Sequence, residues 1–147
     1  MKRITLFLSL LLLTGCALPN ARPGLVVSDP WVRAAPSGDN SAAYLTIANT
    51  SATPHALVGV SSSVAKQVEL HETVVSAGGN AMMQPVAQVP VPARGRAELK
   101  QGSYHVMLIG LQQTLKAGDR VDLTLRFASG DTLAVSAEVR EAQKMAM

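Results

Sequence analysis

Alternation of apolar and polar residues dominates the chain beyond about residue 25. In residues 121–127 and again in residues 133–139, apolar side chains occupy every second position and mostly polar side chains lie between them. A period of two residues is typical of strands that bury one face. Because Ser129, Gly130 and Asp131 favour a tight turn between the two segments, we predict that they form a β-hairpin.

Shorter segments of the same kind precede this hairpin, separated by clusters of Gly, Pro, Ser or Asn. They cover residues 25–27, 31–34, 43–47, 56–60, 67–74, 82–86, 96–99 and 104–109. Residues 64–75 also fit a helical template, but the alternation within and around them favours a strand. About seven to nine short strands, regular turns and no long helix predict an all-β, antiparallel sandwich or barrel in one domain.

The amino terminus has a different pattern. Lys2 and Arg3 precede a mostly apolar run at residues 4–13, which is too short to span a bilayer and is typical of a secretory signal. The sequence Leu-Thr-Gly-Cys that ends at Cys16 resembles the lipobox of bacterial lipoproteins, where cleavage precedes a lipidated Cys. We predict a signal peptide over residues 1–15, a lipid anchor at Cys16 and a tether up to residue 28. The alternative is an ordinary secretory signal in which Cys16 has no role.

Charge and cysteine content narrow the classes of function. The chain has 13 Lys and Arg against 10 Asp and Glu, a net charge of +3. Two of the basic residues lie in the leader, and no basic cluster remains that would bind nucleic acid. Cys16 is the only Cys, so a domain anchored through it contains no disulfide, thiolate zinc site or Cys nucleophile.

Histidine and methionine indicate a candidate site. Alternation places His105 and Met107 on one strand face, with Cα atoms roughly 7 Å apart. His71 shares a strand face with Glu69, and a turn at residues 78–80 could return Met83 to the neighbourhood of His71. For any one of these residues alone, a surface histidine or a core methionine is the simpler interpretation. The set together favours a site of two imidazoles and two thioethers.

Such a donor set suits a soft metal. Thioether and imidazole ligands without thiolate favour Cu(I), whereas zinc prefers Cys, His or carboxylate and calcium or magnesium requires clustered oxygens. Methionine also remains a ligand in an oxidising compartment, where exposed thiols are lost to disulfides. The sequence therefore predicts a copper site.

The spacing of these residues resembles the signature of the periplasmic copper chaperones called PCu(A)C. That signature is a His often followed by Met, then ten residues, a Met, twenty-one residues and His-x-Met. Here ten residues separate the His71-Glu72 pair from Met83, and twenty-one separate Met83 from His105, which is followed by Val106 and Met107. Glu72 stands where many members carry an additional Met, so an accessory contact from that position is in question.

The resemblance extends over about residues 29–140, through Trp31-Val32-Arg33-Ala34, Ala43-Tyr44-Leu45-Thr46 and the segments that flank the two histidines. It implies a cupredoxin-like, Greek-key β-sandwich and one Cu(I) bound by His71, Met83, His105 and Met107. Met82 is expected on the opposite strand face and outside the ligand set. Residues 141–147 are predicted to be a flexible tail, in which Met145 and Met147 form a possible accessory copper clip.

The resemblance also implies a function: delivery of copper to another protein outside the cytoplasmic membrane. The expected recipient is the copper site of cytochrome c oxidase, with a thioredoxin-like assembly factor as a second partner. Two alternatives stay open. An electron-transfer cupredoxin would need a Cys ligand that the strands lack, and a structural or interaction lipoprotein would have its His and Met residues together by accident. No paired acids or Ser/His/Asp arrangement indicates an enzyme.

Overall fold

The computed structural model describes residues 24–142, and within them the chain forms ten β-strands and no helix. The expected all-β class is therefore confirmed, and no element in this range could cross a bilayer as an apolar helix. The strands are β1 (Leu25–Arg33), β2 (Ser41–Asn49), β3 (His55–Ser61), β4 (Ala65–Val75), β5 (Ala81–Pro85), β6 (Val89–Val91), β7 (Arg96–Leu99), β8 (Tyr104–Leu111), β9 (Arg120–Phe127) and β10 (Thr132–Arg140).

The predicted carboxy-terminal hairpin is formed by β9 and β10. Along β9, buried and exposed residues alternate without exception, so that its four apolar side chains enter the core. The turn between the strands places Gly130 at a φ of 89°, a left-handed conformation that glycine adopts without steric cost. Local alternation and turn chemistry thus account for this part of the fold.

The strands pair in the order β5-β4-β8-β2-β1-β10-β9-β3-β6, and β7 also pairs with β2. All of these pairs are antiparallel except β1 with β10, whose parallel pairing departs from the purely antiparallel expectation. Parallel pairing is possible here because the two strands are the first and the last of the described chain and need no tight turn between them. Buried apolar residues from all strands except β5 form one core.

Two details differ from the predicted strands. The segments at residues 25–27 and 31–34 form one strand, because a register shift between Ser28 and Trp31 accommodates the Asp29-Pro30 interruption, with Asp29 at a φ of 46°. β6 was not predicted, since Pro90 at its centre counts against a strand. It is tolerated because β6 is the last strand of the sheet order, where one edge needs no partner.

The boundary of the predicted tether is also corrected. β1 begins at Leu25, inside the segment expected to be a tether, because Leu25 is buried in the core and pairs with Asn49 of β2. All but the first of residues 64–75, which also fitted a helical template, form β4. The predicted signal peptide, Cys16 and the Met145 and Met147 pair lie outside the described residues.

Candidate metal centre

Two neighbouring strands place the histidines side by side. In the antiparallel pair of β4 and β8, His71 lies opposite His105 and Glu69 lies opposite Met107. Directly opposed residues share a sheet face. The ring centroids of His71 and His105 are 5.8 Å apart. Leu70 and Val106, which alternate with them, are in the core. The candidate site therefore lies on the face of the sheet that points away from the core.

The β4–β5 hairpin brings Met83 to the same face. Met83 lies opposite Thr73, two residues beyond His71, whereas Met82 lies opposite Val74 and so belongs to the other face. The turn that reverses the chain has Gly79 at a φ of 82°. Both methionines are exposed, Met83 at 61% and Met82 at 59%, because this hairpin extends beyond the packed core.

His105 is buried although it does not face the core. Its side chain is 2% exposed, with the Tyr44 ring centroid 6.5 Å away on one side and His71 on the other. Its Nδ1 lies 3.0 Å from the carbonyl oxygen of Ser103. A carbonyl can only accept, so Nδ1 carries the proton and donates. In the neutral ring Nε2 then holds the free lone pair, and it has no hydrogen-bond partner among residues 24–142.

His71 shows the complementary arrangement. Its Nε2 lies 2.7 Å from Oε2 of Glu69, and its side chain is 12% exposed. Because an ionised carboxylate only accepts, Nε2 carries the proton and Nδ1 is the free lone pair. Nδ1 is buried and has no hydrogen-bond partner in the described part of the chain. The Gln67 amide donates to the other oxygen of Glu69 and holds the carboxylate.

These unpartnered nitrogens are exceptional in the described part of the chain. Within residues 24–142, the buried side-chain nitrogen and oxygen atoms without a partner are His71 Nδ1, His105 Nε2 and Thr73 Oγ1. Thr73 lies between His71 and Met83 on the same face, and its amide donates to the Ser103 carbonyl at 3.1 Å. Buried polar atoms usually find partners, so three orphans in one cluster indicate a place for a ligand.

An aromatic pair borders this cluster. Trp31 and Tyr44 lie opposite each other on β1 and β2, with ring centroids 4.5 Å apart, and the Arg140 guanidinium lies 5.9 Å from the Trp31 ring centroid. Burial raises the pKa of the Tyr44 hydroxyl, an effect that the Arg33 charge and a hydrogen bond with Gln101 partly offset. The pair forms an apolar wall beside His105.

The donor inventory restricts which metal fits. Within the described residues, no three His, Cys, Asp or Glu side chains are grouped so that they could hold a metal ion. Two imidazole nitrogens are available, and the donors that register adds on the same face are the thioethers of Met83 and Met107. Two nitrogen and two thioether donors fit a soft monovalent ion such as Cu(I) and do not fit Ca²⁺ or Mg²⁺.

Sequence reasoning missed several residues of this site. Alternation placed Glu69 beside His71, but its role as hydrogen-bond acceptor was not inferred. Ser103 and Thr73 gave no signal, because their contacts depend on the pairing of β4 with β8. Trp31 and Tyr44 belonged to the segments of resemblance without an assigned role.

Comparison with known proteins shows the family of this chain. The family model described as "Putative lipoprotein LpqE-like" matches residues 25–139. The chain belongs to this LpqE-like family. It is 38% identical over 141 residues to "Putative lipoprotein Lxx21020" of Leifsonia xyli subsp. xyli, a match that covers 90% of this chain and 84% of that protein.

Solved structures show that the LpqE-like chain shares its fold with PCuAC domains. The solution structure of Cu(I)-DR1885 from Deinococcus radiodurans matches this chain with a TM-score of 0.67 and 37% sequence identity. The match covers 89% of this chain and 85% of DR1885. The copper-bound PCuAC domain of PmoF2 has the same TM-score at 22% identity, over 81% of this chain and 94% of that domain. The cupredoxin-like sandwich fold is thus confirmed.

Proposed function

We propose that this LpqE-like protein is an extracytoplasmic copper chaperone that carries one Cu(I) ion on His71, Met83, His105 and Met107. Delivery to a cuproprotein is its activity, and the copper site of cytochrome c oxidase, with a thioredoxin-like assembly factor, is the proposed destination. Copper is the cargo and no chemical conversion is required, so the protein is not proposed to be an enzyme. The copper-bound forms of DR1885 and of the PmoF2 domain support the choice of metal.

The observation that carries this proposal is the pair of buried, unpartnered imidazole nitrogens. In the neutral form of each ring, the proton lies on the nitrogen that donates to a fixed acceptor, which leaves the lone pair on His71 Nδ1 and on His105 Nε2. Histidines that bind metals commonly have this arrangement, in which a carboxylate or carbonyl fixes the tautomer. A buried imidazole nitrogen without a partner is otherwise costly, and a metal ion removes that cost.

The uneven exposure of the donors suits a protein that releases its metal. The His105 imidazole is buried and that of His71 is mostly buried, whereas the Met83 side chain is mostly exposed. A recipient can approach from the Met83 side and displace this thioether while the imidazoles still hold the ion. Thioethers carry no proton at any relevant pH, so this exchange needs no proton transfer.

The cellular location rests on the amino terminus. We propose that cleavage before Cys16 and lipidation of its sulfur anchor the domain to a membrane on its extracytoplasmic side. The lipoprotein names of the family and of the Leifsonia protein support this placement. Met145 and Met147 are retained as a proposed accessory clip, which a chain ending at Ala142 tests through loss of a second copper equivalent.

A competition titration tests the function directly. The chain is titrated with Cu(I) under reducing conditions against a chromophoric Cu(I) chelator. We expect the chain to hold one Cu(I) equivalent tightly. His105→Ala and Met107→Ala should each lower the Cu(I) affinity. The loss should exceed the about 10- to 100-fold that is typical when a residue hydrogen-bonded to a ligand is removed. No tight equivalent, or unchanged affinity in both variants, would favour a structural lipoprotein. An intense blue Cu(II) complex would favour an electron-transfer protein.

A further inference from the structure

Within residues 24–142, no strand pairs with the outer edge of β5. β5 ends the strand order and all five of its residues are exposed. The amide of Ser76 donates to the carbonyl of Asn80, and the amide of Val86 donates to that of Leu70. In an antiparallel pair such bonds recur at every second residue, so residues 82 and 84 bond inward to β4. Residues 81, 83 and 85 therefore direct their backbone groups outward.

Met83 consequently has two roles at one position. Its side chain lies on the face of His71 and Thr73, while its backbone N–H and C=O point to the open edge. A strand that added to this edge would place one residue directly opposite Met83. Opposed residues share a face, with Cβ atoms about 4.5–5.5 Å apart. That residue would lie beside the Met83 thioether.

The segment that forms the end of β4, the turn and β5 carries no charged side chain beyond Glu72. No Asp, Glu, Lys or Arg occurs between Glu72 and Arg94. Three of the four large apolar side chains that are exposed within residues 24–142 lie on the β4–β5 hairpin, at Val75, Met82 and Met83. Proteins usually protect exposed edge strands with lysine, other charges or central prolines. Here Pro85 only ends the strand, which favours pairing with an uncharged segment.

We infer that β5 is the docking edge for the copper-exchange partner, which adds an uncharged, extended segment as an antiparallel strand and sets a soft donor opposite Met83. The inference rests on the proposed function, since it takes Met83 as a copper ligand. Main-chain hydrogen bonds supply affinity in this mode, and side chains at alternate positions supply specificity. In the exchange, the bond from copper to the Met83 sulfur breaks as the bond to the partner's donor forms, without electron transfer.

Ala81→Pro separates docking from copper binding. The N–H at position 81 points outward, so proline removes a donor from the free edge and no bond from the β4–β5 ladder. Ala81 is exposed, and the substitution leaves all four proposed ligands in place. Ala81→Ser is the matched control, because it changes the side chain and keeps the N–H.

The test uses the acetylated and amidated peptide Thr-Val-Thr-Met-Thr-Val-Thr with the metal-free, ¹⁵N-labelled chain. We expect the amide resonances of Ala81 and Met83 to shift and their hydrogen exchange to slow on titration. Ala81→Pro and a peptide methylated on the Met backbone nitrogen should each bind about tenfold more weakly, as loss of one edge hydrogen bond implies. Ala81→Ser should bind like the unaltered chain.

The outcomes distinguish this inference from the proposed function. Peptide binding elsewhere, no binding, or equal binding by Ala81→Pro and Ala81→Ser would overturn strand addition, even if copper affinity stayed intact. Peptide binding at β5 in a chain that fails the copper titration would contradict the copper function, and with it the role of β5 in copper exchange, while strand addition itself would stand. Slowed exchange at residues 81 and 83 that depends on protein concentration without peptide would show pairing with a second copy and overturn the proposed occupant.

Discussion

Glu69 accepts a hydrogen bond from His71, with Oε2 of the carboxylate 2.7 Å from Nε2 of the ring. The two residues lie on the same face of β4, two positions apart, so the contact is built into the pleat of one strand. It fixes which imidazole nitrogen keeps its proton and leaves Nδ1 for the metal. The position of one carboxylate thus determines the donor atom of a neighbouring ligand.

Glu69→Gln should weaken Cu(I) binding by about 10- to 100-fold. The amide can still accept from Nε2, but its charge is lost and it can also present N–H groups to the ring. Chelator competition measures the change, and Glu72→Gln, on the opposite face of β4, is the control. Equal affinities in the two variants would mean that Glu69 does not hold the ring.

The two histidines should be opposite tautomers in the metal-free protein. His71 is expected to carry its proton on Nε2 because Glu69 accepts there, and His105 on Nδ1 because the Ser103 carbonyl accepts there. Long-range ¹H–¹⁵N correlation spectra of the rings at neutral pH distinguish the two forms. Finding the same tautomer for both rings would contradict the donor assignment.

Met83→Leu and Met82→Leu form a matched pair of substitutions. Both side chains are exposed to nearly the same extent, but only Met83 lies on the face of the histidines. We expect Met83→Leu to lower Cu(I) affinity at least about tenfold, or 1.4 kcal/mol, and Met82→Leu to leave it unchanged. The same competition titration compares them. A larger loss of Cu(I) affinity in Met82→Leu than in Met83→Leu would contradict the choice of Met83 as the ligand.

Phe127→Ala should destabilise the fold without altering the copper donors. Phe127 is 1% exposed in the core at the end of β9, and truncating a buried Phe costs about 3–5 kcal/mol. Urea unfolding of the metal-free protein measures the loss. Cu(I) affinity under native conditions is the control and should be retained, because β9 does not pair with the strands that carry the ligands.

Glu98 should titrate below its ordinary range. A hydrogen bond and the charge of Lys100, with a smaller effect of Arg96, lower the pKa of this carboxyl from its usual 4.5. Its contribution to stability is therefore present above that ordinary value and is lost as the pH falls through the lowered pKa. Carboxyl-carbon NMR titration should show the low midpoint, which Lys100→Ala raises. An unchanged midpoint in that variant would remove Lys100 as the cause.

The sequence by itself determined most of the strands and which residues share a face of each. The pattern at residues 121–127, the alternation of Leu70 with His71 and the spacing that links His71, Met83, His105 and Met107 are all local or one-dimensional properties of the chain. A strand's period of two residues converts them directly into faces. The all-β fold and the family resemblance could therefore be predicted.

Only the tertiary structure decided which strands are neighbours and in what register. Nothing local to β4 specifies that it pairs with β8 so that His71 lies opposite His105, or that β1 runs parallel to β10. Register is chosen by burying every apolar face at once, and a slip of one residue would turn the histidines toward the core. The buried orphan nitrogens and the free edge at Met83 follow from that choice.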